Sequence, residues 1–181
     1  MKVTETHLKG CFIIEPSVFH DERGLFFESF QKEQLERVIG HEVDFVQDNQ
    51  SISKQGVLRG LHFQEGAHAQ AKLVQVIKGE VLDVIVDLRK DSLTFGQHMT
   101  IELSDTNKKL VFIPKGMAHG FVVRSKEAIF AYKCDAYYHQ PAERGLIYND
   151  STLGIDWGYP SEDVILSAKD AALPTFKELY S

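Results

Sequence analysis

Short segments in which apolar side chains recur at about every second position dominate the middle of the chain. This period is that of a β-strand with one buried face. Polar or glycine-containing turns at residues 78–79, 104–107 and 125–127 join the segments in pairs. Many short antiparallel strands with regular turns predict an all-β protein, either a sandwich or a barrel-like jelly roll. The predicted strands are residues 73–77, 81–88, 99–103, 110–113, 119–123 and 128–135.

One helix is predicted before this region, at residues 30–39, where apolar side chains form a single stripe. Ser29 is expected to cap its N-terminus, because a serine oxygen can accept a hydrogen bond from a free backbone N–H. Glu33 is expected to pair with Arg37 one turn later. Gly40 is expected to end the helix, since glycine readily adopts the left-handed conformation found there.

The C-terminal part of the chain, from about Tyr148, is richer in turn residues and is expected to end in short helices. Residues 173–175 read Leu-Pro-Thr, a helix-start signal. No linker or repeat divides the chain, so a single domain over residues 1–181 is predicted. Its expected parts are N-terminal strands and a helix at 1–42, a jelly-roll core at about 43–135, and a C-terminal turn and helix segment at 136–181.

Composition narrows the possible partners. Of the 181 residues 43% are hydrophobic, and 26 acidic against 20 basic side chains give a net charge of -6. This charge argues against a nucleic-acid or anionic-membrane surface. Cys11 and Cys134 are far apart and are interpreted as buried thiols, not as a disulfide or zinc ligands. Since the chain has no secretory signal pattern and no apolar run of about 20 residues, a cytoplasmic protein is expected.

The segment Val-Leu-Arg-Gly-Leu-His-Phe-Gln at residues 57–64 carries unusual chemistry for an apolar strand. It contains Arg59 and His62, and Lys72 follows closely. These side chains suit anion binding, proton transfer and stabilisation of negative charge. In a regular strand Arg59 and His62 would face opposite sides, so either Gly60 marks a bulge or Arg59 lies where the strand begins.

A second motif, Pro-x-Gly-x-x-His, ends at His119 and leads into another predicted strand. Together with Gly60-x-His62 it resembles the two motifs of the cupin superfamily, whose fold is a small jelly-roll barrel. Cupin metal sites usually take His-x-His and a glutamate from the first motif and one histidine from the second. Here Gln64 replaces the second histidine, which leaves a poor ligand set for a transition metal. No bound metal and no other cofactor are therefore predicted.

Without a metal, Lys72 could stabilise the enolate that forms when a proton is removed beside a ketone. His62 is the candidate base, because histidine titrates near neutral pH. Inversion of the carbon requires a proton from the opposite face, and Tyr132 is a plausible acid. Strand alternation places Tyr132 on one face with Phe130 and Cys134, which is expected to be the inside of the barrel.

Motifs along nearly the whole chain, at residues 58–64, 70–74, 112–121, 132–134 and 167–170, closely resemble the dTDP-4-dehydrorhamnose 3,5-epimerase family. The resemblance implies epimerisation of dTDP-4-keto-6-deoxyglucose at C3 and C5 without a metal, in dTDP-L-rhamnose biosynthesis. It also implies His62 as base, Tyr132 as acid and Lys72 as the cation near the keto oxygen. Asp170 would pair with His62 and raise its basicity.

The same resemblance implies a set of contacts to the nucleotide sugar. A diphosphate suits the forked donors of Arg23 and Arg59, Glu28 could accept a hydrogen bond from thymine, and Phe26 could stack on that base. Family members are dimers whose N-terminal strands reach the neighbouring subunit, so Arg23 and Glu28 are expected to act across an interface. The implied substrate-binding residues are Arg23, Phe26, Glu28, Gln47, Asp48, Asn49, Arg59, Lys72, His119, Glu143 and Lys169.

Alternative functions stay open at the level of the sequence. Some relatives invert only one of the two carbons, and other cupin-like enzymes shift the keto group between C3 and C4. A metal-dependent cupin enzyme is a different class, opposed by the incomplete ligand set. A binding protein that has lost the chemistry is a third class, opposed by the joint presence of His62, Lys72 and Tyr132.

Overall fold

The computed structural model describes residues 1–180, and most of its regular structure is β-strand. Three short α-helices and three single 3-10 turns, at Gly66–His68, Gln140–Ala142 and Ser161–Asp163, complete it. In chain order the elements are β1 (Lys2–Glu5), β2 (Phe12–Glu15), β3 (Phe19–Asp21), β4 (Gly24–Phe26), α1 (Lys32–Ile39), β5 (Gln47–Lys54), β6 (Leu58–Gln64), β7 (Lys72–Lys78), β8 (Glu80–Asp87), β9 (His98–Ser104), β10 (Leu110–Ile113), β11 (Met117–Val123), β12 (Glu127–Cys134), β13 (Glu143–Gly145), α2 (Ala168–Ala171) and α3 (Phe176–Tyr180).

Two antiparallel sheets form the body of the protein, which confirms the predicted jelly-roll architecture. The six-stranded sheet has the order β1-β2-β10-β7-β12-β5, and the five-stranded sheet has the order β13-β6-β11-β8-β9. Strands β1, β2 and β13 lie outside the span of about 43–135 predicted for the jelly-roll core, so both ends of the chain extend the sheets.

The three predicted turns between paired segments do not close hairpins. Strands β7 and β8, β9 and β10, and β11 and β12 each belong to opposite sheets. Each turn therefore carries the chain from one sheet to the other. A period of two identifies a strand and its buried face, but it does not identify the neighbouring strand.

The main core lies between the sheets. Val74 and Phe130 of the six-stranded sheet pack in one cluster with Ile85 and Phe121 of the five-stranded sheet, and all four side chains are buried. The rings of Phe121 and Phe130 stack with centroids 4.2 Å apart. On the outer face of the five-stranded sheet the C-terminal segment adds a second cluster, in which Trp157 is buried.

Helix α1 covers part of the outer face of the six-stranded sheet, and it begins later than predicted. Its N-cap is Gln31, whose side chain accepts a hydrogen bond from the N–H of Gln34, so the prediction of Ser29 as cap was wrong. Phe30 is drawn out of the helix because its ring packs against Phe45, with centroids 5.5 Å apart. Gly40 ends the helix with a φ of 80°, as predicted.

The pairing predicted on the surface of α1 also differs. Lys32 and Glu36 form the i,i+4 ion pair, at 3.5 Å, and no ion pair joins Glu33 to Arg37 within residues 1–180. The short C-terminal helices α2 and α3 are present as predicted. Both cysteines are free and buried, also as predicted. None of the helices of the described residues is long and apolar enough to cross a membrane.

Candidate active site

A cavity of about 610 Å³ opens between the two sheets. Strands of both sheets contribute polar side chains to the wall of this cavity. In the main core, by contrast, the side chains between the sheets are apolar. From the six-stranded sheet the polar side chains of the wall are Gln47, Asn49, Ser51, Lys72 and Tyr132, and from the five-stranded sheet Arg59, His62, Gln64, His119 and Glu143. The cavity therefore lies where the polar residues singled out in the sequence converge.

A bulge in β6 explains how Arg59 and His62 both line this cavity. His62 pairs with His119 and Arg59 pairs with Phe121, so two residues of β6 oppose the single residue Gly120 of β11. Gly60 has a φ of 129° and a Cβ there would lie 2.6 Å from the Cα of Gly120, so only glycine fits without displacing backbone. The extra residue reverses the alternation, and the bulge predicted as one of two possibilities is confirmed.

His62 is oriented by Asp170, whose Oδ1 lies 2.8 Å from the Nε2 of the imidazole. Helix α2 positions Asp170, because its N-cap Ser167 accepts a hydrogen bond from the Asp170 N–H at 3.0 Å. Burial acts to raise the pKa of Asp170, but its hydrogen bonds to His62, Gly60 and Ser167 and the attraction of His62 together outweigh burial, and the pKa is lowered. An ionised Asp170 requires a hydrogen on Nε2, so Nδ1 is the basic nitrogen of a neutral His62.

A second histidine–aspartate pair lies beside the first. His119, which pairs with His62 across β6 and β11, has its Nε2 2.7 Å from Oδ2 of Asp83. Asp83 is fully buried, and its other oxygen, Oδ1, has no hydrogen-bond partner. Burial raises the pKa of Asp83, while His119 and Lys72 act to lower it.

Sequence reasoning missed Asp83, although a signal was present. Val81 and Ile85 belong to the core between the sheets, and Asp83 lies midway between them on the same strand. Side chains at every second position share one face of a strand. A carboxylate between two inward-facing aliphatic residues therefore predicts a buried acid that needs a partner.

Lys72 is a nearly buried cation at the start of β7, with 8% of its surface exposed. Its Nζ lies 3.4 Å from the carbonyl oxygen of His62, a long contact that leaves donors available. Burial lowers the pKa of Lys72, and the nearby acidic groups, which include Asp83 and Glu143, act to raise it. A cation held in a dry environment interacts strongly with negative charge that develops nearby.

Tyr132 faces the cavity from the sheet opposite His62. It lies on β12, and its ring is 6.2 Å from that of Phe130, which is fully buried as the alternation of β12 predicts. Burial raises the pKa of Tyr132, with Arg59 acting to lower it. The phenol therefore keeps its proton at neutral pH until a strong base forms beside it.

Gln64 occupies the position where a metal-binding cupin would have a histidine, and its amide is already engaged. Its Oε1 accepts a hydrogen bond from the N–H of His139 at 2.6 Å, and its Nε2 donates to the carbonyl of His68 at 2.8 Å. Across residues 1–180 no group of three or more His, Cys, Asp and Glu side chains is placed to hold a metal ion. The side chains present do not fit the metal site of a cupin.

The structure brings part of the implied substrate-binding set to the cavity. The cavity is lined by Gln47, Asn49, Arg59, Glu143 and Lys169. The ammonium of Lys169 lies 2.5 Å from the carboxylate of Glu143. Burial acts to raise the pKa of Glu143, but its hydrogen bonds to Lys169 and Tyr138 outweigh burial and lower it.

Asp48 lies on the opposite face of β5, outside the cavity of its own chain. There its carboxylate accepts hydrogen bonds from the ammonium of Lys133 at 3.0 Å. The reason is the alternation of the strand, which turns Gln47 and Asn49 inwards and Asp48 outwards.

Arg23, Phe26 and Glu28 also lie outside the cavity of their own chain. The Arg23 side chain is 90% exposed and pairs with Asp21, and Phe26 is 68% exposed. Glu28 borders a separate pocket beside α1. Strands β3 and β4 pair only with each other, so this hairpin stands apart from both sheets.

Two further cavity residues were missed by sequence reasoning. Ser51 has a buried hydroxyl without a hydrogen-bond partner, and the hydroxyl of Tyr138 donates to Glu143 at 2.7 Å. Ser51 could have been found, because it continues the inward-facing polar positions of Gln47 and Asn49 along β5. Tyr138 lies in a loop, where periodicity carries no information.

Comparisons with known proteins show which family the chain resembles along nearly its whole length. The family model described as dTDP-4-dehydrorhamnose 3,5-epimerase matches residues 5–178. The dTDP-4-dehydrorhamnose 3,5-epimerase of Salmonella typhimurium is 52% identical over 174 residues, which cover 96% of this chain and 94% of that protein. The crystal structure of the same enzyme from Elizabethkingia anophelis is 53% identical with a TM-score of 0.95, and covers 98% of this chain and 97% of that one.

A third relative was solved with a ligand. It is the dTDP-6-deoxy-D-glucose-3,5-epimerase of Legionella pneumophila in complex with dTDP-4-keto-L-rhamnose, 49% identical with a TM-score of 0.93, and the match covers 97% of this chain and 93% of that one. Identity at this level over nearly the whole length shows common descent as well as a common fold. The chain belongs to the dTDP-4-dehydrorhamnose 3,5-epimerase family.

Proposed function

We propose that this protein is an isomerase that converts dTDP-4-dehydro-6-deoxy-D-glucose into dTDP-4-dehydro-L-rhamnose by inverting C3 and C5. The observation that carries the proposal is the placement of a base and an acid on facing sheets. His62, paired with Asp170 at 2.8 Å, lies on the five-stranded sheet, and Tyr132 lies on the six-stranded sheet across the cavity. Inversion of a carbon requires proton removal from one face and proton delivery to the other.

His62 would take the proton from the carbon next to the keto group. The C–H electron pair then forms a carbon–carbon double bond, and the carbonyl electrons move to oxygen to give an enolate. The cation of Lys72 would stabilise this oxygen. The removal needs a basic nitrogen, and the ionised Asp170 keeps Nδ1 of His62 as that nitrogen.

Tyr132 would then return a proton to the same carbon from the opposite face. Its raised pKa keeps the phenol protonated until the enolate forms. The proton on His62 passes to solvent, and the tyrosinate recovers a proton from solvent. The same groups would act on C3 and C5 in turn, because both carbons flank the C4 keto group.

Arg59 and the Glu143–Lys169 pair would hold the nucleotide diphosphate sugar. The Nε of Arg59 donates to Ser53 at 3.0 Å, which fixes the guanidinium plane. The remaining donors of the guanidinium can then engage phosphate oxygens. The Legionella relative, solved with dTDP-4-keto-L-rhamnose, supports a ligand of this class.

We propose in addition a cytoplasmic homodimer in which β3 and β4 of one chain complete the cavity of the other. Phe19 and Phe26 on this hairpin are 63% and 68% exposed, and within residues 1–180 the guanidinium of Arg23 is bonded to Asp21 alone. Exposed aromatic side chains on a hairpin without a sheet partner are typical of a surface that is covered in an assembly.

Mixing two inactive variants tests this arrangement. His62→Asn removes the base from the body of the chain, and Arg23→Ala removes the proposed cation from the hairpin. If the hairpin acts on the partner, a mixed dimer contains one complete site, and activity returns after the two variants are unfolded and refolded together. If the hairpin acts within its own chain, every site in the mixture lacks one group and activity does not return.

The reaction itself is tested by incubation with dTDP-4-dehydro-6-deoxy-D-glucose in deuterated water, followed by NMR. Deuterium at both C3 and C5 is expected, and its absence from both contradicts the proposal. Deuterium at one carbon would identify a single-carbon epimerase instead. His62→Asn should abolish exchange at both carbons, whereas the matched variant His41→Asn, an exposed histidine outside the cavity, should leave it unchanged.

A further inference from the structure

Three glutamine side chains from different parts of the fold hold the backbone of one loop, residues 136–139. Gln70 donates to the carbonyl of Ala136 at 2.7 Å. Gln64 donates to the carbonyl of Tyr137 at 3.2 Å and accepts from the N–H of His139 at 2.6 Å. Gln47 accepts from the N–H of Tyr138 at 2.8 Å. Each of these four loop residues is therefore bonded to a glutamine, and we call this arrangement the glutamine clamp.

The clamp places Tyr138 at the rim of the cavity. The Tyr138 side chain lines the cavity although the residue is 53% exposed. Its hydroxyl donates to Glu143 at 2.7 Å, and Glu143 is bonded to Lys169 at 2.5 Å. Glu143 is in turn the strand partner of Gln64 in β13 and β6. Gln64 is thus bonded to the loop that carries Tyr138, and it also pairs with Glu143, which accepts the hydrogen bond of the Tyr138 hydroxyl.

The burial of Gln64 and the position of Tyr138 at the cavity argue against a clamp that only stabilises the fold. Gln64 is 4% exposed, and a buried amide is costly unless its hydrogen bonds are made. Both tyrosines of the loop are exposed, Tyr137 at 70% and Tyr138 at 53%, and Tyr138 is the one whose side chain lines the cavity. The buried amide of Gln64 and the partly buried amides of Gln70 and Gln47 therefore hold an aromatic ring in place where it is open to a ligand.

We propose that Gln64 and Gln70 are positioning residues for substrate binding, which fix Tyr138 and the Glu143–Lys169 pair in the conformation that receives the nucleotide part of the substrate. The inference rests on the proposed function and adds a role for the amide at the position of a cupin metal ligand. A rim ordered before binding loses little conformational freedom when the ligand arrives. Loss of the clamp should weaken binding without changing the proton transfers.

Kinetics of Gln64→Met and Gln70→Met test the proposal, because methionine keeps the length of the side chain and removes its hydrogen bonds. In each variant KM should rise about tenfold, the ratio expected for the loss of the one or two hydrogen bonds that each side chain makes to residues 136–139, while kcat changes less than about twofold. Gln55→Met is the matched control, since Gln55 also donates to a carbonyl, that of Arg124 at 2.8 Å, but lies outside the cavity. Its KM should match the wild-type value.

A combined variant separates positioning from general loop stability. Tyr138→Ala should raise KM in the wild-type background and add nothing in the Gln64→Met background, because the clamp acts through that ring. If the increases in KM caused by Tyr138→Ala and Gln64→Met are additive in the double variant, the proposal is wrong. It is also wrong if the clamp variants lower kcat and leave KM unchanged. Thermal melting checks folding, and if Gln64→Met does not fold, Gln70→Met carries the same comparison.

Calorimetric titration with dTDP alone keeps this inference distinguishable from the proposed reaction. The clamp variants should bind dTDP about tenfold more weakly than wild type and Gln55→Met, whichever carbons exchange deuterium. Unchanged dTDP affinity contradicts the clamp even if the wild-type protein epimerises both carbons. Absent exchange in the wild-type protein contradicts the proposed function even if the clamp variants lose affinity.

Discussion

Two buried aspartates on β8, Asp83 and Asp87, lie four residues apart and have opposite surroundings. Asp87 ends the strand and accepts five hydrogen bonds, from the backbone and guanidinium of Arg89 and the hydroxyls of Ser92 and Thr94. Asp83 forms one, with His119, and its Oδ1 has no partner among residues 1–180. Both residues have no exposed surface.

Their proton affinities differ accordingly. Burial alone acts to raise the pKa of Asp87, but the donors from Arg89, Ser92 and Thr94 outweigh it and the pKa is lowered. The pKa of Asp83 is raised by burial, which His119 and Lys72 do not overcome. The hydrogen bonds of Asp87 order the loop that follows it, whereas we expect Asp83, which is less completely bonded, to act on the cavity through His119.

Replacement of Asp87 should have the largest effect on stability. Asp87→Asn leaves the Arg89 guanidinium without its countercharge and the hydroxyls of Ser92 and Thr94 with fewer acceptors. The free energy of unfolding should fall by about 3 kcal/mol, as for other broken buried ion pairs, which urea denaturation measures. The kcat of the folded fraction should stay unchanged, and a specific loss of kcat would erase the contrast with Asp83.

Replacement of Asp83 should act in the opposite way. Asp83→Asn keeps a hydrogen bond to His119 but removes the charge that orients the ring and balances Lys72. We expect kcat to fall about 30-fold, as for loss of one charge-assisted hydrogen bond, while thermal melting shows no loss of stability. Because Asp87→Asn makes the same chemical change on the same strand, it serves as the control. Unchanged kcat would show that Asp83 is only structural.

The dependence of stability on pH should also separate the two carboxylates. Asp87 has a lowered pKa, so its stabilisation is present above the unfolded-state value of about 3.9 and is lost as the pH falls through its folded pKa. Asp83 has a raised pKa, so its ionisation disfavours the folded state as the pH rises above about 3.9.

Urea denaturation of the two Asn variants at several pH values above about 3 checks these signs. Relative to wild type, Asp83→Asn should gain stability as the pH rises, and the deficit of Asp87→Asn should shrink as the pH falls. Parallel pH profiles for the two variants would contradict the assignment.

Ser51 provides the smallest expected effect and extends the comparison to a neutral group. Its buried hydroxyl has no partner and lines the cavity, so the substrate is expected to supply one. Ser51→Ala should raise KM about fivefold, the value of one neutral hydrogen bond, without lowering the melting temperature. Ser161→Ala, at an exposed serine outside the cavity, should change neither quantity, and equal KM values for all three proteins would refute the role of Ser51.

Much of the fold was predictable from the chain, for reasons visible in single elements. The alternation of β12 indicated that Phe130 and Cys134 face inwards, and both are buried. The start of α1 was not predictable, because the packing of Phe30 on Phe45 removes that residue from the helix. Tertiary packing decided there against the local capping preference of Ser29.

The candidate site divides in a similar way. Residue types and spacing pointed to Arg59, His62, Lys72 and Tyr132, all of which line the cavity. Asp83 and Tyr138 were missed, since one was read as part of an apolar strand and the other lies in a loop. Asp48 lies outside the cavity of its own chain because alternation along β5 turns it away from its neighbours.

The sequence by itself determined the strands, the buried faces, the family and the chemical type of the main groups, because these depend on local period and residue identity. Only the tertiary structure decided which strands pair, that a bulge at Gly60 turns Arg59 and His62 to one side, and that Asp83 lies 2.7 Å from His119. These features join residues that are distant along the chain, as Asp83 and His119 are, 36 positions apart. Such contacts follow from the way whole sheets pack, and no local pattern encodes that packing.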